Sequence, residues 1–144
     1  MKQGFVKVAS ATPRIRVADP VYNAQVICEQ AKEAAEHGAK IVVFPELCIT
    51  GYTCNDLFLQ ELLLEKAKEA LLTIVEETGQ LEALFLVGLP VEKDGRLYNV
   101  AAVLYRGRIL GMIPKKNIPM YAEFYEGRHF TPGEETVTEY RLGK

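Results

Sequence analysis

The sequence is poor in cysteine and lacks any large cluster of basic residues. Its three cysteines, Cys28, Cys48 and Cys54, are an odd number without metal-type spacing. This favours reduced thiols over a disulfide framework and argues against a zinc site. The net charge is -2, and the Lys115-Lys116 pair is too small a cluster to compensate a phosphate surface. We therefore expect no metal, no nucleic-acid partner and no membrane partner.

Long apolar runs are also missing. No segment approaches the roughly 20 apolar residues needed to span a bilayer, and Met1 to Val6 lacks the apolar run of a signal peptide. We therefore expect a cytoplasmic protein. There is no internal repeat, low-complexity tract or interdomain linker. The 144 residues, 49% hydrophobic and 25% charged, are predicted to form one globular unit with a sizeable core.

The hydrophobic pattern alternates between strands and helices. Apolar residues at helical spacing predict helices at 20–37 and 60–78, with Asp19 before the first helix and Gly38 after it. Apolar and β-branched runs predict strands, at 5–10, 40–44, 84–89, 97–105, 108–114 and 136–140. Turn signals separate the later strands, at Asp94-Gly95 and Arg106-Gly107. The predicted fold class is α/β, a mixed sheet with covering helices and antiparallel pairing among the later strands.

Glu46 is the first candidate for a chemical role. It follows the run Lys40 to Phe44, which is typical of a strand covered on both faces, and so lies at the C-terminal edge of that strand. Layered α/β folds carry reactive groups at this edge. A carboxylate held there against apolar neighbours would have its charged form disfavoured and could act as a general base near neutral pH. The alternative is a Glu that caps a helix or pairs with a basic residue at the surface.

Lys115 is the second candidate. It lies where the strand at 108–114 runs into a long loop, and Pro114 and Pro119 restrict the backbone around it. A positioned ammonium group can stabilise negative charge that develops in a transition state. Taken alone, Lys115 and Lys116 could both be ordinary solvated lysines. Only the pairing with Glu46 favours the catalytic interpretation.

Four stretches of the chain carry a family resemblance: Phe44 to Phe58, Gly88 to Pro90, Leu97 to Ala102 and Pro114 to Gly133. In these stretches the chain resembles the carbon-nitrogen hydrolase (nitrilase) superfamily. It is most similar to the glutaminase domains of glutamine-dependent NAD synthetases, because the Gly51-Tyr52 pair, the Asn55 to Phe58 segment and the Tyr121 to Phe130 block look specific to that branch. The resemblance covers essentially the whole chain.

The resemblance implies a fold and a domain organisation. The fold would be a nitrilase-like α-β-β-α sandwich, and residues 1–144 would be the N-terminal part of one glutaminase domain. The rest of that domain and a C-terminal ATP-dependent synthetase domain are expected beyond residue 144. An incomplete sandwich would leave an unpaired strand edge and an uncovered apolar face, which favour self-association.

The resemblance also implies a Glu-Lys-Cys catalytic set that releases ammonia from L-glutamine through a thioester. In this chain Glu46 matches the general base and Lys115 the residue that stabilises the oxyanion. Tyr121 matches a glutamine-contacting residue, and three more residues fall where the substrate pocket would be, namely Tyr52, Phe124 and Glu126. Glu126 could pair with the amino group of the substrate. As alternatives, the aromatic residues could belong to the core, and Glu126 could pair with Arg128.

The nucleophilic cysteine of this set is expected beyond residue 144. Cys28 falls on the apolar face of the first predicted helix, where a buried structural thiol is expected, and Cys54 could lie at the rim of the pocket. Cys48 is close to Glu46 in sequence, but an extended segment gives the two no fixed nucleophile-base geometry. We therefore expect the isolated 144 residues to be inactive.

The remaining expectations concern partners. The synthetase domain of the whole protein would use ATP and Mg to amidate nicotinate adenine dinucleotide, and this segment itself would hold no cofactor. Homo-oligomers are usual for domains of this resemblance. The alternatives are another amidase or carbamoylase of the superfamily, or a non-catalytic scaffold fragment.

Overall fold

Helices and strands alternate along the first half of the chain, in a computed structural model that describes residues 3–143. The elements are β1 (Val8–Ser10), α1 (Pro20–Glu36), β2 (Ile41–Val43), α2 (Glu61–Glu77), β3 (Leu84–Lys93), β4 (Arg96–Tyr105) and β5 (Arg108–Pro114). Short 3₁₀ helices cover Asn55–Leu59 and Glu126–Arg128. The sheet has the order β1-β2-β3-β4-β5. β1, β2 and β3 are parallel, and β4 and β5 are each antiparallel to the strand before them.

Both long helices begin and end close to their predicted positions. The Asp19 carboxylate accepts a hydrogen bond from the backbone N–H of Tyr22 at 3.1 Å, and Pro20 opens α1, which is the capping that the sequence predicts. Gly38 follows α1 with φ +84°, a left-handed conformation that glycine adopts without a steric penalty. No helix within residues 3–143 is long and apolar enough to cross a bilayer.

The core lies between the two helices and one face of the sheet. Ile27 of α1 and Ile74 of α2 are fully buried, and they pack in one cluster with Val42 and Phe85 of the sheet. Burying each side chain of this size contributes about 1.5–3 kcal/mol. The predicted mixed sheet with covering helices is confirmed, and the described residues form one helix layer on one sheet layer.

The opposite face of the sheet is open over β1 and β2 in the described residues, whereas the segment around Leu47 covers it at Gly88 of β3. Ile41 and Val43 flank the buried Val42 and are exposed. Val8 is exposed as well and pairs with Ile41. The expectation that this central strand is covered on both faces is therefore wrong for residues 3–143, because the only helix layer lies on the other side. Self-association through the open face stays a prediction.

Three strand predictions differ from the structure. β1 begins at Val8 instead of residue 5 and is paired with β2 from Ile41 to Val43. β3 continues to Lys93 instead of ending at residue 89, because it pairs with β4 along a hairpin that closes at Asp94-Gly95. The strand predicted at 136–140 is wrong, since this segment forms no strand and Val137 is fully exposed. A strand requires a neighbouring strand with which its backbone can form hydrogen bonds. The apolar pattern of residues 136–140 does not show whether such a neighbour exists.

Candidate active site

Glu46 lies in a tightly packed turn that follows β2 and crosses over β3. Leu47 and Ile49 on either side of the turn are fully buried, and the Ile49 N–H donates to the carbonyl of Gly88 at 3.1 Å. A Cβ at Gly88 would overlap the backbone nitrogen of Leu47. Glycine at this position therefore lets the turn cross β3 and carry Glu46 as far as β4. Leu47 adopts φ +53°, an uncommon left-handed conformation that this packing imposes.

Lys115 follows β5, and its side chain contacts Glu46, which follows β2. β5 ends at Pro114, and the Lys115 N–H donates to the carbonyl of Asn99 on β4 at 2.7 Å. The Lys115 Nζ lies 2.6 Å from Oε1 of Glu46, although the two residues are 69 apart in sequence. They meet because β2 and β5 run in the same direction, so their C-terminal ends share one edge of the sheet. The structure thus brings the two predicted catalytic residues together.

Glu126 is the third charged member of this cluster. Its Oε1 and Oε2 lie 2.9 and 3.3 Å from the Lys115 Nζ, and the Tyr52 hydroxyl donates to Oε1 at 2.8 Å. The Glu126 side chain is only 5% exposed. The alternative that Glu126 pairs with Arg128 is wrong, because Arg128 lies 3.5 Å from Asp56 instead. Two carboxylates therefore share one ammonium group.

The polar neighbours of the cluster determine its protonation. Partial burial opposes the charge on Lys115, but hydrogen bonds and charge from Glu46 and Glu126 outweigh it and raise the pKa of Lys115. Burial and the adjacent Glu126 raise the pKa of Tyr52. Lys115 is therefore an ammonium and Tyr52 a neutral hydroxyl donor near pH 7. The expectation of apolar neighbours around Glu46 is wrong, since its side chain is 41% exposed and contacts Lys115 and Asn99.

Asn99 is the site residue that sequence reasoning missed. Its side chain is buried, and the Nδ2 amide group donates to Oε1 of Glu46 and, at 3.4 Å, to Oε2 of Glu126. The available signal was an amide inside the apolar run Leu97 to Ala102, where strands disfavour asparagine. That signal marks a residue with a special role but not its partners.

The two other predicted pocket residues lie on the loop that precedes Glu126. The Tyr121 and Phe124 rings meet edge to face, with centroids 5.6 Å apart, and the Phe124 N–H donates to the Tyr121 carbonyl at 2.9 Å. Tyr121 is 68% exposed, so the alternative that it is a core aromatic is wrong. Tyr52 alone among the predicted aromatics is hydrogen-bonded to the charged cluster within residues 3–143.

A second small core fixes the far end of this loop. Phe130 is buried and meets Phe58 edge to face at 5.0 Å. The neighbouring His129 has its Nε2 3.1 Å from Oδ1 of Asp56. Backbone bonds continue the attachment, since the Gly133 N–H donates to the Lys115 carbonyl at 2.8 Å. The loop from 119 to 133 is therefore fixed at its end, while its aromatic tip is open to solvent.

Comparisons with known proteins identify the family of the chain. The family model described as carbon-nitrogen hydrolase matches residues 7–144. The chain belongs to the carbon-nitrogen hydrolase family. It is 39% identical over 142 residues to the glutamine-dependent NAD(+) synthetase of Mycobacterium tuberculosis strain H37Rv, covering 99% of this chain and 21% of that protein. It is 35% identical over 137 residues to the enzyme of the same name from Thermotoga maritima, covering 95% of this chain and 23% of that protein.

Solved structures of carbon-nitrogen hydrolases share the fold. The glutamine-dependent NAD(+) synthetase of Cytophaga hutchinsonii superimposes with a TM-score of 0.86 at 29% identity, covering 93% of this chain and 23% of that one. An amidase from Nesterenkonia sp. AN1 superimposes with a TM-score of 0.74 at 25% identity, covering 94% and 53%. The fold is thus nitrilase-like, as expected. The chain spans about a fifth of the length of the NAD synthetases it matches.

The three cysteines of this carbon-nitrogen hydrolase are all buried. Burial raises the pKa of Cys28 and of Cys48 to about 11, and it raises the pKa of Cys54. The Cys48 Sγ contacts the backbone of Gly88, and the Cys54 Sγ lies 3.2 Å from the carbonyl of Thr50. Buried thiols stay protonated and inert at neutral pH. Cys28 packs as predicted, while the expected place of Cys54 at a pocket rim is wrong.

Proposed function

We propose that residues 1–144 are the N-terminal part of the glutaminase domain of a glutamine-dependent NAD synthetase. The observation that carries this proposal is the 2.6 Å contact of Lys115 with Glu46, in a chain 39% identical to proteins of that name. The whole protein would release ammonia from L-glutamine. A C-terminal domain would then use ATP and Mg to amidate nicotinate adenine dinucleotide to NAD. A relative from Acinetobacter baumannii crystallised with ADP supports the nucleotide requirement.

The reaction needs a cysteine thiol, which we place outside residues 1–144. Glu46 takes the thiol proton, and the sulfur attacks the side-chain amide carbon of glutamine. The ammonium of Lys115 stabilises the oxyanion of the tetrahedral intermediate. The proton returns to the leaving nitrogen, ammonia departs, and Glu46 activates the water that hydrolyses the thioester to glutamate. A mutant of the Nesterenkonia amidase with acetamide added covalently to its active-site cysteine supports thiol chemistry in this fold.

The substrate pocket would lie between the charged cluster and the loop tip, lined by Tyr52, Tyr121, Phe124 and Glu126. The Glu126 oxygens already accept from Lys115, Tyr52 and Asn99. These bonds occupy the roughly four acceptor positions of a carboxylate. Glu126 would therefore attract the amino group of glutamine by its charge and through Tyr52. A cytoplasmic location and homo-oligomeric assembly stay predictions.

Two assays on the full-length gene product test the proposed function. The first measures ammonia release from glutamine, and the second measures NAD formation from nicotinate adenine dinucleotide and ATP with either glutamine or ammonium chloride. Glu46→Ala and Lys115→Ala should abolish the glutamine-driven reactions and leave ammonium-driven NAD formation intact. Lys116→Ala is the matched control, because Lys116 is exposed and lies 3.3 Å from Glu135. It should retain both reactions.

Two results would overturn the proposal. Glutamine-driven NAD formation that survives Glu46→Ala would remove the assigned base. A product that hydrolyses simple aliphatic amides and makes no NAD would place the protein with amidases such as that of Nesterenkonia instead.

A further inference from the structure

Asn99 lies inside β4 with its side chain in the charged cluster. The residue is 3% exposed, and its neighbour across the hairpin is Pro90 of β3. Asparagine is unfavourable in the middle of a strand, where it packs poorly and competes for backbone hydrogen bonds. Its presence at a buried position therefore calls for a compensating set of contacts.

Those contacts reach every charged member of the cluster. The Asn99 carbonyl accepts from the backbone N–H of Lys115 at 2.7 Å. The Asn99 amide group donates to one oxygen of Glu46 and one oxygen of Glu126. Because both side-chain contacts are carboxylate oxygens, which only accept hydrogen bonds, the side chain must present its NH₂ group to them.

The charge balance explains why a neutral donor is needed there. Glu46 and Glu126 carry two negative charges against the single positive charge of Lys115, and Tyr52 adds only a neutral hydroxyl. Like charges held this closely repel each other. An amide offers two N–H groups without adding charge, so it can hold both carboxylates while leaving Lys115 free to turn toward an oxyanion.

We propose that Asn99 is a positioning residue for amide hydrolysis. Its side chain holds the carboxylates of Glu46 and Glu126 within hydrogen-bond distance of the Lys115 ammonium group. This role rests on the proposed function, because it assumes that Glu46 is the base. Asn99 itself makes no bond to the substrate. Its removal should therefore lower kcat by a larger factor than it raises KM, since KM changes only as far as Glu126 moves.

Two substitutions in the full-length gene product test the proposal, one that removes the donor and one that replaces it with a titratable group. Asn99→Ala removes the donor, and a misplacement of Glu46 by about 1 Å should lower kcat for glutamine hydrolysis about 100-fold.

Asn99→Asp keeps the shape and adds a third carboxylate. At high pH its charge repels Glu46 and Glu126, so kcat should fall by more than in Asn99→Ala. As the pH is lowered, the introduced carboxylate takes up a proton and becomes a donor again, so the ratio to wild type should rise. A defect in folding alone would give both substitutions the same pH-independent loss.

Val100→Ala is the matched control. Val100 is the next residue of β4, and its side chain is buried in the core on the helix side of the sheet. This variant should be less stable, with kcat and its pH profile unchanged. Equal effects of Val100→Ala and Asn99→Ala on kcat, or an Asn99→Asp ratio that does not rise at low pH, would overturn the proposal.

A structural measurement separates failure of this inference from failure of the proposed function. If the wild-type protein does not hydrolyse glutamine, the proposed function fails, and crystal structures of the wild-type and Asn99→Ala proteins still test positioning. The Glu46 carboxylate should leave Lys115 in the variant. An unchanged contact between Lys115 and Glu46 would overturn the proposed role of Asn99.

Discussion

The two segments that build the site differ in how they are held. Residues 47–50 of the Glu46 turn are buried, and the turn is bonded through its backbone to Gly88 of β3. The loop from 119 to 133 exposes its aromatic tip, and its buried side chains are Glu126 and Phe130. Tyr52 connects the two, since it follows the turn and its hydroxyl reaches Glu126. The backbone that carries Glu46 is thus fixed by the fold, whereas the exposed tip of the loop from 119 to 133 can adjust.

Gly88→Ala should disrupt the Glu46 turn and have the largest effect on stability and activity. A Cβ at Gly88 would overlap the backbone of Leu47, and a backbone cannot move aside as a flexible side chain would. We expect a loss of about 3 kcal/mol in the free energy of unfolding, with loss of activity, measured by urea denaturation of the full-length product. Gly111→Ala on β5 is the matched control, because a Cβ there meets nothing within 4 Å. Equal stability of the two variants would contradict the packing argument.

Glu126→Gln should increase the mobility of the loop from 119 to 133. Its buried carboxylate ties the loop to Lys115, and replacing it with a neutral amide should cost about 2 kcal/mol. Amide hydrogen exchange should accelerate in residues 121–128 but not in the Glu46 turn. Glu123→Gln, at an exposed position of the same loop, should change neither. Faster exchange in both segments would mean that the turn depends on the loop.

Tyr52→Phe tests the connection between the segments. The variant loses one hydrogen bond to a charged partner, and partial exposure limits the cost to about 1 kcal/mol. We expect a small decrease in thermal stability and an increase in KM for glutamine, with kcat changing less. An effect on kcat as large as that of Glu46→Ala would give Tyr52 a direct chemical role.

Asp56→Asn should have the smallest effect on stability. Asp56 contacts His129 and Arg128 near the end of the loop from 119 to 133. The hydrogen bond with His129 and then the charge of Arg128 lower the pKa of Asp56. A carboxylate whose pKa is lowered by folding adds stability above its unfolded pKa of about 3.9, and this stability is lost as the pH falls below that value. The wild type should therefore melt slightly higher than the variant at pH 7. A difference in melting temperature that did not shrink as the pH fell below about 3.9 would contradict this assignment.

The sequence allowed prediction of what depends on local pattern. Apolar spacing and the Asp19 cap placed α1, and the Asp94-Gly95 turn placed the hairpin of β3 and β4. Strand order was beyond reach, and it is strand order that brings Lys115 to Glu46. The family resemblance identified both residues, but their contact depends on where β2 and β5 end.

The roles of Gly88 and Asn99 could not be predicted for the same reason. Gly88 matters because a turn from elsewhere in the chain lies on it, and Asn99 matters because three distant residues converge on it. Neither set of contacts can be predicted from the residues next to Gly88 or Asn99 in the sequence. The strand wrongly predicted at 136–140 shows the converse, since its apolar pattern is present but it pairs with no strand within residues 3–143.

The most direct test of the central claim is to map where a reactive glutamine analogue attaches. The full-length product, treated with a chloroketone analogue of glutamine, would be digested and its peptides analysed by mass spectrometry. We expect one adduct, on a cysteine outside residues 1–144, that forms at least about 100-fold more slowly in Glu46→Ala. An adduct on Cys48 or Cys54, or a labelling rate that does not depend on Glu46, would contradict it.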